Sequence, residues 1–312
     1  MASSSIDTSV THLSDIWRLF KGGKLHSREM LEFEYEIENN LLGLAEDLKT
    51  SNWVHDIYRQ FETNKGKKRL VSVAKVRDRV VHRFVFETLA NVLDSKFLFD
   101  VWSGRKGKGL VGAIRRAQLF AKKFESNWVV KLDIKKFYNS VNQEYLLMGL
   151  RDFGVDDELF SLCRLIVLSY AKDTGVGMPI GNVTSQIFAN IYLSGLDKII
   201  AHHLQCRAFV RYGDDIVMFV RDNETAEVLM RELVFCVGKI YLSVNESSGY
   251  IRRVRDGFAY LGCVIYPKGR HLKNAMQKRT LRDVNYTNIA SYTDLWRKHD
   301  TPIVFELEKA NA

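Results

Sequence analysis

Arg211-Tyr212-Gly213-Asp214-Asp215-Ile216-Val217-Met218-Phe219 sets two adjacent carboxylates between apolar runs, Phe209-Val210 on one side and Ile216 to Val220 on the other. Gly213-Asp214 suits a two-residue type II′ turn, so the stretch predicts a β-hairpin with both acids held at its tip. Asp pairs at exposed turns are common. The hairpin alone therefore does not separate a catalytic pair from a solvated one.

A second acidic strand narrows the choice. In Trp128-Val129-Val130-Lys131-Leu132-Asp133-Ile134 the side chains alternate, Trp128, Val130, Leu132 and Ile134 facing one way and Lys131 and Asp133 the other. An acid at the end of a core-packed strand is costly unless paired, so Asp133 calls for a cation or a metal. Lys131 and Lys135 are the local cations. Magnesium prefers oxygen ligands and is commonly held by one or two carboxylates plus substrate phosphates. A two-ion site for phosphoryl transfer fits three Asp on two strands. Further along, Gly177-Met178-Pro179-Ile180-Gly181-Asn182-Val183-Thr184-Ser185-Gln186 reads as a loop entering a helix whose Phe188, Ile191 and Leu196 share a buried side. Such a junction either cradles a nucleotide or simply joins two elements.

Taken in order, Leu132-Asp133-Ile134-Lys135-Lys136-Phe137-Tyr138, Gly177 to Gln186, Tyr212-Gly213-Asp214-Asp215 and Tyr260-Leu261-Gly262 resemble the successive palm motifs of reverse transcriptases. Upstream, Lys67-Lys68-Arg69-Leu70-Val71 and Arg77-Asp78-Arg79-Val80-Val81-His82 look like the fingers motif of group II intron and related bacterial enzymes. The resemblance covers roughly residues 15 to 272. It implies an α+β right-hand polymerase that is an RNA-directed DNA polymerase. Asp133, Asp214 and Asp215 would be its catalytic carboxylates, and two Mg²⁺ ions, with Mn²⁺ as a substitute, would sit on those acids and the backbone of Ile134. Arg69 and Arg79 would meet the triphosphate of a dNTP, and Tyr138 would be the sugar gate. Ile180, Gly181 and Gln186 would line the nucleotide side.

The loop Pro179-Ile180-Gly181 with Thr184-Ser185-Gln186 resembles the reverse transcriptases of diversity-generating retroelements, where many relatives carry Pro-Gln-Gly. That subtype implies error-prone copying opposite template adenines, a template RNA with its RNA/cDNA hybrid, and a small basic accessory protein. A branched apolar side chain at Ile180 offers no amide hydrogen bonds to check the nascent pair. An antiphage-defence or other solitary bacterial reverse transcriptase is the alternative within the family, and a catalytically idle RNA-binding module the alternative outside it. Two departures stand out. Glu246-Ser247-Ser248 occupies the place where relatives often carry lysines, and Gly213 replaces a larger residue in the hairpin, as in RNA-templated RNA polymerases.

The chain has 312 residues, net charge +9 and sequence pI about 9.2, a balance that attracts polyanions. Basic residues cluster at Arg59–Arg83, Arg105–Lys123 and Arg252–Arg279. In the second cluster Ile114, Ala117, Ala121 and Phe124 recur at helical spacing, with Arg115/Lys122 and Arg116/Lys123 seven apart. Arg105, Lys106 and Lys108 precede them in a Gly-rich loop. All seven cations are candidate nucleic-acid contacts, a solvated basic surface being the bland alternative. The loop lacks the Gly-Lys-Ser/Thr of a P-loop.

Cys163, Cys206, Cys236 and Cys263 have no paired spacing, so neither zinc nor a disulfide framework is indicated. No apolar run nears the ~20 residues of a membrane span, and the polar start lacks a secretory pattern. A cytoplasmic protein without membrane attachment, encoded by a bacterium, archaeon or phage, is expected. Met30, Phe33, Ile37, Leu41, Leu44 and Leu48 predict one amphipathic helix after a Ser27 cap, packed on the fingers. The expected layout is an N-terminal helical extension (1–60), fingers (61–125), a palm (126–265) with inserted helices at about 141–176, and a short thumb (266–312). No ribonuclease H or homing-endonuclease domain is expected.

Overall fold

The computed structural model describes residues 6–22, 27–63, 70–170, 174–274 and 277. Three helices open it: α1 (Val10–Lys21), α2 (Arg28–Tyr35) and α3 (Ile37–Lys49). A hairpin of β1 (Arg59–Glu62) and β2 (Leu70–Val73) precedes the long α4 (Val76–Leu93). Then come α5 (Leu110–Lys123), β3 (Trp128–Asp133), α6 (Phe137–Ser140), α7 (Gln143–Asp152), α8 (Asp157–Leu168) and α9 (Val183–Lys198). After them lie β4 (Phe209–Tyr212), β5 (Asp215–Val220), α10 (Asn223–Lys239) and β6 (Tyr250–Arg253). A small sheet of β7 (Phe258–Tyr260), β8 (Cys263–Tyr266) and β9 (Gly269–Leu272) follows. The expected thumb lies almost entirely outside the described residues.

The main sheet has the order β4-β5-β3-β6, each neighbouring pair antiparallel. Both of its faces are covered. Val130, Leu132 and Ile134 of one face share a core with Phe188 and Leu193 of α9 and Leu229 and Leu233 of α10. On the other face Val129, Val217 and Phe219 pack with Ala113, Ile114 and Ala117 of α5 and with Phe258, Tyr260 and Ile265 of the small sheet. Each large apolar side chain buried this way contributes about 1.5–3 kcal/mol, and a one-residue slip of β3 would exchange its two faces. The register is therefore fixed by packing. The mixed helical and antiparallel architecture is the α+β class expected.

The N-terminal pattern resolves differently from the single predicted helix. Ser27 does cap, its hydroxyl accepting from Met30 N at 3.3 Å, but the helix breaks at Glu36, whose backbone sits at φ −106°, ψ 34°. The Asn40 side chain donates to the Phe33 carbonyl at 3.0 Å and so replaces a bond that the break removes. Met30, Phe33, Leu41, Leu44 and Leu48 are all buried in the same core as α4, so the apolar period runs through the break unchanged.

α4 reaches α9 through a buried polar chain. His82 Nδ1 lies 2.7 Å from Thr184 Oγ1, His82 Nε2 lies 3.0 Å from His55 Nε2, and His55 Nδ1 lies 2.5 Å from the Asp56 carbonyl. A carbonyl only accepts, so His55 Nδ1 carries a hydrogen. With both rings neutral, His82 then donates to His55 and accepts from Thr184. Burial pushes the His82 pKa down to about 3, with His55 adding to the effect. Between pH 6.5 and that value the unfolded chain protonates this histidine while the folded chain does not. Stability is therefore lost as pH falls below 6.5, by up to about 1.4 kcal/mol per pH unit from this group. Denaturant melts at pH 7 and pH 5 should show the loss, and His82→Gln should reduce the difference; an equal pH dependence in the variant would exclude His82 as its source.

Candidate active site

The hairpin forms as its sequence dictates. Gly213 has φ +62° and Asp214 is not left-handed, the pattern of a type II′ turn. Tyr212 pairs with Asp215 across this two-residue loop. Asp215 is also the register partner of Asp133 on β3. Directly opposed residues have Cβ atoms about 4.5–5.5 Å apart, where like charges repel. Asp133 and Asp215 point to the face that carries Lys131, and Asp214 sits half-buried at the turn beside them.

Each carboxylate has its own support. Asp133 Oδ2 accepts from Asn245 Nδ2 at 2.9 Å and from the Ser248 hydroxyl, while Asn245 N donates to the Asp133 carbonyl at 2.8 Å. Its Oδ1 takes no hydrogen bond among the described residues. Asp215 Oδ1 lies 3.1 Å from Lys131 Nζ, yet accepts no aligned hydrogen bond among the described residues and is shielded from solvent. Burial raises the Asp215 pKa, Lys131 opposes that, and Asp133 reinforces it. Lys131 is itself 9% exposed and also donates to the Ala259 carbonyl at 3.1 Å. Of the two routes left open for Asp133, Lys131 serves the neighbouring acid instead.

Ile134 lies at 2% exposure in a bridge to Val244, where the neighbouring backbone bonds use the carbonyls of Asp133 and Ser243. Among the described residues no group of three or more His, Cys, Asp or Glu side chains is arranged to hold a metal ion. Two facing carboxylates, one with an oxygen that takes no hydrogen bond among the described residues and one whose shielded oxygen meets only the Lys131 ammonium, fit an open site completed by water and phosphate.

The loop that enters α9 is tied to the segment after β3. Met178 N donates to the Tyr138 carbonyl at 2.7 Å, Gly177 N to the Val141 carbonyl at 2.7 Å, and Gln143 Nε2 to the Gly177 carbonyl at 3.1 Å. Tyr138 and Ile180, both half-buried, are thereby brought to one region. Gly181, at φ +109°, faces Val71 of β2, where a Cβ would come within 3.3 Å of that side chain. Gln186 packs on Gly104 so closely that a Cβ there would meet its own at 2.9 Å. Arg79 stands on α4 with its Nη2 3.4 Å from Glu29 and its Nε without a hydrogen-bond partner among the described residues. Arg69 lies outside the described residues.

The seven basic candidates divide. Arg105 donates to both oxygens of Asp94 at 2.7 and 3.1 Å and to the carbonyls of Leu98, Val101 and Asp94. Arg116 forks onto Asp100 at 2.8 and 2.9 Å. Lys106 meets Glu87 at 3.0 Å, and Lys108 lies over the rings of Phe99 and Trp102 while donating to the Phe99 carbonyl. Arg115, Lys122 and Lys123 are exposed on α5, and Arg115 and Lys122 flank a shallow groove with Leu119 and Pro267.

One cluster went unread in the sequence. Arg211 is fully buried and forks onto Asp197 of α9, Nε to Oδ1 and Nη2 to Oδ2, both at 2.7 Å. Its Nη1 donates to Asn190 Oδ1 at 3.1 Å and to the Gly213 carbonyl at 3.0 Å. The signal was present, since Arg211 shares its strand face with Phe209 and a charge there requires a buried partner.

The family model described as "Reverse transcriptase (RNA-dependent DNA polymerase)" matches residues 57–265. The chain is 23% identical over 239 residues to Protein YkfC of Escherichia coli (strain K12), covering 63% of each chain. It is 22% identical over 284 residues to the Putative COX1/OXI3 intron 2 protein of Saccharomyces cerevisiae, covering 70% of this chain and 33% of that protein. A similar alignment to the intron 1 protein of that yeast, 25% over 142 residues, covers 43% and 17%. The chain thus spans less than two thirds of the length of these relatives. No helix among the described residues is long and apolar enough to cross a membrane.

The division of the basic residues is testable by stability alone. Arg105→Ala strands Asp94 and three carbonyls, and should cost about 2–4 kcal/mol in urea unfolding, whereas Arg115→Ala should fall within about 0.5 kcal/mol of wild type. Equal effects of the two would contradict the division.

Proposed function

We propose, from the premise that this chain belongs to the reverse transcriptase (RNA-dependent DNA polymerase) family, that it copies an RNA template into cDNA by adding dNTPs to a primer 3′ end. The observation that carries the reading is the register pairing of Asp133 with Asp215, with Asp214 at the adjoining turn. Asp133, Asp214 and Asp215, with the Ile134 carbonyl, would hold two divalent cations. Mg²⁺ bound there, or Mn²⁺ in its place, would supply activation of the 3′-hydroxyl and stabilisation of the pyrophosphate charge. Asn245 and Ser248 orient the Asp133 carboxylate by occupying one oxygen and leaving the other toward the site. Lys131 offsets the charge of Asp215 when no cation is bound. Tyr138 would exclude a ribose 2′-hydroxyl, Arg69 and Arg79 would bind the triphosphate, and Ile180, Gly181 and Gln186 would line the nascent pair. Template RNA and the RNA/cDNA hybrid would run past Arg115, Lys122 and Lys123.

Asp214→Asn removes one ligand charge and keeps the shape. Extension of oligo(dT) on poly(rA) should fall below detection while filter binding of RNA stays near wild type. Extension at the wild-type rate would sink the assignment.

The finer reading is the diversity-generating subtype, in which copying errs at template adenines with the help of a small basic accessory protein. Its support is Ile180, a half-buried branched side chain in the loop tied to Tyr138. A tenfold loss of base discrimination needs only about 1.4 kcal/mol, the scale of one polar contact. Sequencing of cDNA should show substitutions concentrated at template adenines, reduced in Ile180→Gln. Errors spread evenly over four bases would favour the antiphage-defence reading instead.

A further inference from the structure

Arg211 is the largest buried cation among the described residues, and it reaches no solvent and hence no substrate. Its side chain leaves β4 on the face opposite to Asp133 and Asp215, alongside Phe209, and runs toward α9. Four hydrogen bonds use its donors. Two go to Asp197, and the remaining pair leaves from a single nitrogen, Nη1, to Asn190 and to the Gly213 carbonyl. Asn190 passes the contact on, its Nδ2 donating to the Ser103 carbonyl at 2.7 Å. The backbone of Arg211 is held by the same segment, its N donating to the Asp100 carbonyl and its carbonyl accepting from Trp102 N, both at 2.9 Å. Arg211, Asn190 and residues 100–103 thus close a ring.

We propose that Arg211 is a positioning residue for the catalytic turn, and that Asn190 extends its grip so that the turn, α9 and residues 100–104 hold one geometry. The proposal rests on the polymerase reading for its catalytic consequence only. A peptide unit is planar, so fixing the Gly213 carbonyl fixes the plane that carries the nitrogen and Cα of Asp214. Gly213, at φ +62°, supplies no side chain of its own to anchor that plane. The guanidinium fork does so from below, and a lysine, a point charge without the fork, cannot serve Asp197, Asn190 and Gly213 together. Gln186, Asn190 and Asp197 lie at four- and seven-residue steps along α9. The helix that meets Arg211 is therefore also the one that presents Gln186 to Gly104. A buried ion pair adds little net stability over an apolar replacement, so its use here is geometric.

The test compares Arg211→Lys and Asn190→Ala in the full chain, with hydrogen exchange by mass spectrometry and extension of oligo(dT) on poly(rA) with dTTP. Displacing a reacting group by about 1 Å costs ~10²-fold, so Arg211→Lys should lower kcat by roughly 10- to 100-fold while KM for dTTP stays within about twofold. Amides of residues 212–216 should exchange faster in both variants, with α10 unchanged. Asn190→Ala keeps the ion pair and should fold even where Arg211→Lys does not. Its kcat should fall severalfold, and the double variant should be no worse than Arg211→Lys alone, because both act through one ring. Wild-type kcat and wild-type turn exchange in Asn190→Ala would overturn the proposal. So would a loss in Arg211→Lys that vanishes on correction for the folded fraction. If the wild type itself extends nothing but the turn exchange responds as stated, the polymerase reading fails and the positioning role stands.

Discussion

Everything near the site follows from placing Asp133 and Asp215 directly opposite one another on neighbouring antiparallel strands. That register puts like charges within repulsive reach on a partly buried face. Packing alone holds it, since the flanking pairs Leu132/Ile216 and Val130/Met218 are core on one face and Val129/Phe219 on the other. The repulsion is then met locally rather than relieved. Asp133 receives two donors from the loop after α10, and Asp215 receives Lys131. The Asp215 pKa is raised chiefly by burial, with Lys131 opposing and the facing Asp133 adding the smaller part.

The hairpin and the central strand were legible in the sequence because their signals are local. Gly213-Asp214 names its turn type, and alternation in Trp128 to Ile134 names the faces. The same holds for α5, whose apolar spacing gave a helix where Leu110–Lys123 forms one. Pairing was not legible. Lys131 lies two residues from Asp133, yet it forms its ion pair with Asp215, eighty-odd positions away in sequence and adjacent only through the register. The N-terminal break was hidden for another reason. α2 and α3 lean on one core, so a three-and-four spacing survives a kink that Asn40 repairs with its side chain.

Charge runs do not say which of their cations folding will pair. A count of Lys and Arg between 105 and 123 treats each as available to a polyanion, but availability depends on acids brought near by folding. Asp94 and Asp100 supply those acids to Arg105 and Arg116, and Glu87 to Lys106. What remains exposed on α5 is Arg115, Lys122 and Lys123. Phosphate contacts govern affinity through the number of cations that can release counterions, so any contribution of α5 to binding a polyanion would be set by its surface inventory rather than by the composition of the segment.

α9 gathers these threads because it is buried on nearly every side. An ordinary amphipathic helix leaves one polar face to water, whereas here even Thr184, Ser185, Asn190 and Asp197 are buried. Each must then find a partner inside the protein. Thr184 finds His82 on α4, Ser185 the Pro179 carbonyl of the loop that enters α9, Asn190 the Ser103 carbonyl, and Asp197 the Arg211 fork. Four polar side chains on one helix thereby attach it to four different parts of the chain. In low dielectric an unmade bond at any of them is costly, so α9 cannot shift without breaking several at once. The loop before α9, residues 100–104 and the Gly213-Asp214 turn are thereby held in a fixed relation. A helix polar in several buried positions supplies that relation by hydrogen-bond obligation added to apolar packing.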